Sequence, residues 1–461
     1  MNTAVVLAAG KGTRLRSATP KVLHTVAGRS LLEWVLEALR PLQLDRIVVV
    51  VGHEADQVTA HAQSLAIPGL TCVTQHQQLG TGHAVRVALE SGALDEARQV
   101  MVVAGDVPAV TTASLRRGMQ QRGDAAAAVL TTRLPDPSGY GRIVRDGESI
   151  AAIIEHGDAT PEQLDIDEVN TGLFTFDAGA LRDALARINR DNAQGEEYLT
   201  DTVALLADEA GVIGVPVDAD EVGGVNDRVQ LAHVEVLLRQ RILEGLMRDG
   251  VRVVDPGATY VDAAVVVEPD AILLPGVMLH GDTHIGAGAT IGPHSRLTDT
   301  RVETDATVAY TVAVDAQIGP RAQVGPYTHL RAGTVLHADS KAGGFVETKN
   351  AVIGEGSKVP HLSYVGDADL GRNVNFGAGA ITVNYDGFSK FQTTIGDGAF
   401  VGSDTMLVAP IEIGEGAYVG AGSTVTTDVP ADALAFERGQ RRTIDGWAAR
   451  RRDRHEQGDQ P

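Results

Sequence analysis

Two periodicities divide this 461-residue chain. As far as residue 228, short apolar runs alternate with amphipathic stretches. Residues 4–8, 47–51, 100–104 and 125–130 read as buried strands, and 31–40 and 84–90 as helices between them. That alternation predicts a mostly parallel sheet covered on both faces, with ligands beyond the carboxyl ends of its strands. From 229 to 248 apolar residues recur at Leu231, Val234, Leu238, Ile242 and Leu246, spacings of three and four that predict one long helix ending near Gly250.

Beyond that helix the period becomes six. The clearest run is Ile395-Gly396, Val401-Gly402, Leu407-Val408, Ile413-Gly414, Val419-Gly420 and Val425; Ile285, Ile291, Ile318, Val324, Leu330, Ile353, Val359 and Val365 belong to the same ladder. Such units stack as a parallel β-helix, three per turn, with the aliphatic residue inward and glycine at the corners. Residues 253–427 would form roughly ten turns. Two gaps, Leu336 to Ile353 and Phe376 to Ile395, read as loops ejected from the coil; the first holds Lys349 and the second Asn384, Tyr385 and Lys390. After Thr427 the ladder stops, and residues 450–461 read as a mobile tail.

Composition narrows the chemistry. A formal charge of −21 and a pI near 5.0 argue against nucleic-acid or anionic-membrane partners, so anionic ligands need local cationic clusters. The 52 glycines and 4% aromatics suit a fold with many tight corners and few large core side chains. Cys72 is the single cysteine, which excludes an intrachain disulfide and a cysteine zinc site; it reads as a strand residue. With no basic leader and no long apolar run, a cytoplasmic protein is expected.

The strand at 4–8 ends in Ala9-Gly10-Lys11-Gly12-Thr13, where glycines let backbone N–H groups approach a ligand, and Arg14 and Lys21 follow as cations for phosphates. The spacing is not that of a Walker A loop, and Leu15 breaks G-x-G-x-x-G. Alone, the loop could be an ordinary tight turn. Gly105-Asp106-Val107-Pro108 follows the strand at 100–104 and places a hard oxygen donor where Mg²⁺ on phosphates would need one; Asn226 follows Gly223-Gly224-Val225. His76 and His83 read as structural.

The string from Leu7 to Leu15 with Pro20-Lys21-Val22-Leu23-His24 behind it resembles the signature of sugar-1-phosphate nucleotidyltransferases. Over residues 2–447 the chain resembles, more narrowly, the bacterial bifunctional family that unites N-acetylglucosamine-1-phosphate uridyltransferase and glucosamine-1-phosphate acetyltransferase activities. The resemblance implies an α/β nucleotidyltransferase domain, Rossmann-like with a mostly parallel sheet, at 1–228. A helical linker at 229–249 joins it to a left-handed parallel β-helix of hexapeptide repeats at 250–461, the acetyltransferase domain with its tail. It implies UTP, acetyl-coenzyme A and Mg²⁺ as co-substrates and metal, sugar phosphates as partners, and a homotrimer through the coil with acetyl sites between subunits.

The resemblance also implies roles. Leu7, Ala8, Ala9, Gly10, Arg14, Lys21, Gln75, Gly80, Thr81, Ala104, Gly105 and Asp106 would line the nucleotide, with Gln75 and the Gly80 backbone reading uracil. Gly141, Glu155 and Asn170 would hold the amino sugar, with Tyr198 and Thr200 beside it, and Asp106 with Asn226 would hold the metal. Ala104 departs from relatives that carry Tyr before Gly-Asp. In the coil, Lys358-Val359-Pro360-His361 presents His361, which read alone is a surface histidine. The family makes it the general base, with Arg331, Lys349, Tyr364 and Asn375 on the sugar phosphate. Ala378, Asn384, Tyr385, Lys390, Ser403, Ala421 and Arg438 match acetyl-coenzyme A positions. The rival readings are a single-activity nucleotidyltransferase with a non-catalytic coil and a binding scaffold with a degenerate first domain.

Overall fold

The computed structural model describes residues 1–437, 439 and 441–456. By its internal contacts the chain falls into two compact units, one of Met1–Glu244 with Val261–Ala263, the other of Gly245–Tyr260 and the chain from Ala264 on.

The first unit is built on a nine-stranded sheet: β1 (Asn2–Ala8), β2 (Arg46–Val51), β3 (Leu70–Thr74), β4 (Gln99–Ala104), β5 (Ala127–Arg133), β6 (Arg142–Asp146), β7 (Ser149–Ile154), β8 (Glu168–Asp177) and β9 (Val212–Pro216). Their order across the sheet is β3-β2-β1-β4-β8-β5-β9-β7-β6. β8 runs against β4, β5 and β6, and β7 against β6 and β9, while the other strands share one direction. Alternate side chains leave each strand on opposite faces. Ala4, Val6 and Ala8 of β1 therefore enter one core with Leu32, Val35 and Leu36 of α1 (Leu31–Leu39), Val58 of α2 (Ala55–Ser64) and Leu115 of α4 (Thr112–Gln121). Val5 enters the other with Val85 of α3 (Thr81–Glu90), Leu181 of α5 (Ala178–Leu185) and Val203 of α6 (Asp201–Ala210). The expected long helix is α7 (Arg228–Arg248). Its seam runs through Val234, Leu238 and Leu243; Ile242, named from the spacing, is only partly buried.

The second unit is a triangular coil of short parallel strands. One face is an eleven-stranded ladder, and the other two make up a seventeen-stranded one. On the first face Gln323 pairs with Lys341 and Lys341 with Lys358, steps of eighteen and seventeen residues. Asn375 pairs next with Phe400, a step of twenty-five. The extra residues are the ejected segment after Asn384, closed by the Phe391 N–H on the Asn384 carbonyl at 2.9 Å, with the Asp386 carboxylate taking the Phe388 and Ser389 N–H groups.

The other expected ejection, between Leu336 and Ile353, is not one. Strands Lys341–Gly344 and Glu347–Ile353 continue the coil at normal spacing. Ser340, Ala342, Val346, Thr348 and Ala351 are all buried in it, so small and hydroxylated residues stand where the ladder was expected to show large aliphatics. The hydroxyls bond inside: Ser340 to the His337 carbonyl at 2.7 Å, Thr348 to Thr334 at 2.9 Å. The expected tail also differs, since α8 (Trp447–Glu456) takes up its first seven residues, with the remaining five outside the described residues.

Turns stack so closely that a Cβ built on Gly343 would fall far inside van der Waals contact with the Pro360 carbonyl oxygen of the next turn. Gly343→Ala should therefore destabilise the coil by about 1–3 kcal/mol, the usual cost of overpacking. The check is a calorimetric trace in which the transition of the second unit falls while that of the first is unmoved.

Candidate active sites

At the carboxyl end of β1 the chain turns through Ala9-Gly10-Lys11-Gly12. Gly12 has φ 59°, and a Cβ there would lie 2.6 Å from the Lys21 Cβ, so this glycine lets the lysine stem pack against the loop. Gly80, φ 112°, sits where a side chain would strike the Glu197 backbone and leads into the amino terminus of α3. Between them lies a cavity of about 560 Å³. Leu7 to Gly10, Lys21, Gln75, Gly80, Thr81, Ala104 and Asp106 line it, together with Lys11, Gln78 and Glu196, which were not among the candidates. Gly105 lies behind the lining, its N–H on the Leu7 carbonyl at 2.9 Å. Arg14 is exposed on the turn Thr13–Leu15, outside the lining. Gln75 is buried, with its amide fixed by the Gly80 carbonyl at 3.2 Å and His83 Nδ1 at 2.8 Å. His83 is thus structural, in the service of Gln75.

Lys21 Nζ donates to Asn226 Oδ1 at 2.8 Å and pairs with the Asp106 carboxylate. Two oxygens from loops 120 residues apart converge on one cation. That is a donor set Mg²⁺ accepts when phosphates and waters complete its shell. Among the described residues no group of three or more His, Cys, Asp or Glu is placed to hold a metal.

Beside the cavity, the Thr200 hydroxyl donates to Glu155 Oε1 at 2.9 Å, a Cβ on Gly141 would sit 3.5 Å from both Glu155 oxygens, and the Asn170 N–H reaches the Gly141 carbonyl at 2.9 Å. Gly141, Glu155, Asn170 and Thr200 thus form one cluster. The Thr81 hydroxyl accepts the Leu199 N–H at 3.1 Å, which ties this cluster to the cavity wall. The Tyr198 hydroxyl is buried with no hydrogen-bond partner; burial first, then Asp158, Glu155 and Glu196, push its pKa up to about 12. Burial also raises the Glu155 carboxyl, against the Thr200 hydrogen bond and with Asp201 and Asp158 adding to the rise.

In the coil, Arg331 Nη1 donates to Glu347 at 3.0 Å. Glu347 pairs in register with Tyr364 one turn on, and Lys349 with Gly366, over which the Tyr364 hydroxyl lies. Lys390 reaches over from the ejected segment: its side-chain contact and charge, then desolvation and the Arg331 charge, lower the Lys349 pKa, against Asp367. Asp367 in turn accepts from Asn350 at 2.8 Å and Asn384 at 2.5 Å. Arg331, Lys349, Tyr364, Asn384 and Lys390 therefore gather in one region, and Lys349 reaches it from a coil strand, not from a loop. His361 is exposed at the end of strand Lys358–His361 on the adjacent face, where Asn375 pairs with Lys358.

The His361 carbonyl accepts the Gly379 N–H at 3.1 Å, and Ala378 and Ser403 accept in the same way from Asp404 and Gly422, each at 2.8 Å. Ala378, Ser403 and Ala421 thus occupy successive turns of the His361 corner. Tyr385 is exposed, its hydroxyl on the Gly387 carbonyl at 2.6 Å. The expected Arg438 lies outside the described residues. Glu347, Asn350 and Asp367, which orient these cations and amides, were missed because the seventeen-residue register that joins them has no local signal.

Residues 4–165 match the family described as MobA-like NTP transferase domain, and residues 392–427 the family described as bacterial transferase hexapeptide (six repeats). The chain is 52% identical to the bifunctional protein GlmU of Thermobifida fusca and 51% identical to that of Streptomyces coelicolor, each over 456 residues, covering 97% of this chain and 94% of the relative. It is 45% identical to the GlmU of Desulfitobacterium hafniense over 448 residues, 96% and 98% of the two chains. With these matches the coil is the left-handed parallel β-helix of that lineage. Among the described residues no helix is long and apolar enough to cross a membrane.

Two outcomes follow. A raised Glu155 pKa means that the folded unit binds this proton more tightly than the unfolded chain, so stability falls as pH rises from the unfolded pKa through the folded one. Glu155→Gln should then raise the first unit's Tm at neutral pH by about 2–4 °C, the worth of roughly 1 kcal/mol at this size. A thermal melt of the variant beside the unmodified chain checks this. In the coil, anion binding should weaken with rising pH earlier than an ordinary lysine would dictate. Lys390→Met should shift that profile upward, as read by sugar-phosphate binding across pH, and a profile that does not move would refute the coupling.

Proposed function

We propose, for a chain that belongs to the family of the bifunctional protein GlmU, a two-reaction enzyme that makes UDP-N-acetylglucosamine. The second unit transfers acetyl from acetyl-coenzyme A to the amine of glucosamine-1-phosphate. The first unit couples the resulting N-acetylglucosamine-1-phosphate to UTP and releases pyrophosphate. Both reactions belong to the cytoplasm, where these metabolites are made. The observation that carries this reading is the presence in one chain of a cavity lined by Lys21 and Asp106, with Asn226 bonded to that lysine, and of a coil surface that gathers Arg331, Lys349 and Lys390.

In acetyl transfer, Arg331, Lys349 and Lys390 neutralise the sugar phosphate, with Tyr364 and Asn375 beside it. The amine nitrogen attacks the thioester carbonyl, the C–S bond breaks, and the proton shed by nitrogen passes to His361 and then to the departing thiolate. Imidazole is suited to that task because it can take up and release a proton near neutral pH. The coenzyme lies along Ala378, Ser403 and Ala421, with Asn384, Tyr385 and Arg438 contributing. Three copies assemble through the coil, so that these groups meet between subunits.

Uridylyl transfer needs alignment and charge neutralisation more than acid–base help, because a sugar phosphate is already an ionised nucleophile. Its oxygen attacks the α-phosphorus of UTP, and the bond to the pyrophosphate oxygen breaks. Gln75 and the Gly80 backbone hold uracil, the Leu7–Gly10 backbone and Lys21 hold the phosphates with Arg14, and Gly141, Glu155 and Asn170 hold the sugar. Asp106 and Asn226 would hold Mg²⁺, which when bound neutralises phosphate charge.

The test separates the two activities. With glucosamine-1-phosphate, acetyl-coenzyme A, UTP and Mg²⁺, free thiol and pyrophosphate are followed independently. Asp106→Ala should abolish pyrophosphate release and spare thiol release. His361→Ala should lower thiol release by about 10²- to 10⁴-fold, the usual worth of a placed general base. It should leave uridylylation of preformed N-acetylglucosamine-1-phosphate near wild type. A folded His361→Ala chain with normal thiol release would return this histidine to a surface residue, and a coil with no acetyl transfer at all would favour the single-activity rival.

A further inference from the structure

Arg142, the first residue of β6, is 2% exposed and carries a charge that the chemistry above does not use. Among the described residues no carboxylate pairs with it. Its Nη1 donates instead to the carbonyls of Pro137, at 2.7 Å, and Tyr140, and its Nε has no partner. Burying an unpaired guanidinium is expensive, and closing a surface turn does not require one.

What this turn carries suggests why the charge is there. On one side of Tyr140 is Gly141, whose carbonyl holds the Asn170 N–H and whose Cα faces Glu155. On the other, the half-buried Tyr140 phenol lies close to the backbone of Gly224, two residues before Asn226, and to the Asp106 carboxylate. The turn therefore holds Gly141 of the Glu155 cluster and carries Tyr140 toward the Asp106–Asn226 side.

We propose that Arg142 is a positioning residue of uridylyl transfer: by clamping the Pro137–Tyr140 turn it sets the separation between the Gly141–Glu155 end of the site and the Asp106–Asn226 end, with Tyr140 as the strut between them. This rests on the reading of the cavity as a uridylyl transferase site. In-line attack tolerates little error, and a shift of about 1 Å costs about 10²-fold.

Steady-state kinetics of the full chain test the proposal, with acetyl transfer and the thermal midpoint of each variant as folding controls. Arg142→Ala should lower kcat/KM for N-acetylglucosamine-1-phosphate by about 10²-fold while KM for UTP stays near wild type. Millimolar guanidinium, far below denaturing concentration, should restore part of the loss by occupying the vacated clamp. Tyr140→Phe should show the same substrate split with a smaller loss. If Arg142→Ala does not fold, Arg142→Lys, which keeps the charge but not the fork, should show the split. Normal sugar kinetics in a folded variant, or equal losses toward both substrates with no guanidinium rescue, would overturn the proposal and leave the transferase reading standing. An unmodified chain that released no pyrophosphate would overturn both.

Discussion

Most neighbouring strands in both units run parallel, and a parallel pair cannot be closed by a two-residue hairpin, so the chain must travel back before it can pair again. The first unit returns through helices, which cover both faces of the sheet and bring the loops after β1 and β4 together at the strands' carboxyl ends. The second returns through two further short strands around a triangle. These two answers to one constraint decide where chemistry can sit. In the sheet the candidate site sits on loops beyond strand ends, as with Gly10, Gly80 and Asp106. In the coil it sits on outward positions that recur once per turn, as with Glu347 and Tyr364 or Lys349 and Gly366.

Both sites must attract anions to a chain of net charge −21. Each holds its cations beside a nearby carboxylate. In the cavity Lys21 is restrained by Asp106 and Asn226, 85 and 205 residues away in sequence. In the coil Lys390 crowds Lys349 enough to lower its pKa, a repulsion that a bound phosphate would relieve. Glu155, raised by burial, and the buried Tyr198 hydroxyl show a related trade: groups desolvated ahead of a ligand cost stability in its absence and would need no reorganisation on its arrival.

Much was legible in the sequence because it is written locally. The six-residue ladder at Ile395 to Val425 requires only that every sixth side chain be inward, and the strand-loop order at 4–13 puts the glycines where a backbone must approach a ligand. The same strictness produced the error at 336–353. A coil interior accepts Ser340 and Thr348 as readily as Val or Ile when neighbouring turns satisfy their hydroxyls, and a ladder read only from large aliphatics cannot register that.

The amino-acid sequence by itself determined the strand–helix alternation, the six-residue repeat, the helix between them and the Gly-rich loop after the first strand, since these depend on periods of two to six residues. Only the tertiary structure decided that Lys349 stands on a strand opposite Gly366, that Lys390 approaches it, that Asp106 and Asn226 share one cation, and that Arg142 closes the turn between Glu155 and Asp106. Those meetings depend on strand register and on how long loops close. They are set by the summed packing of whole units, and no short window of residues contains them.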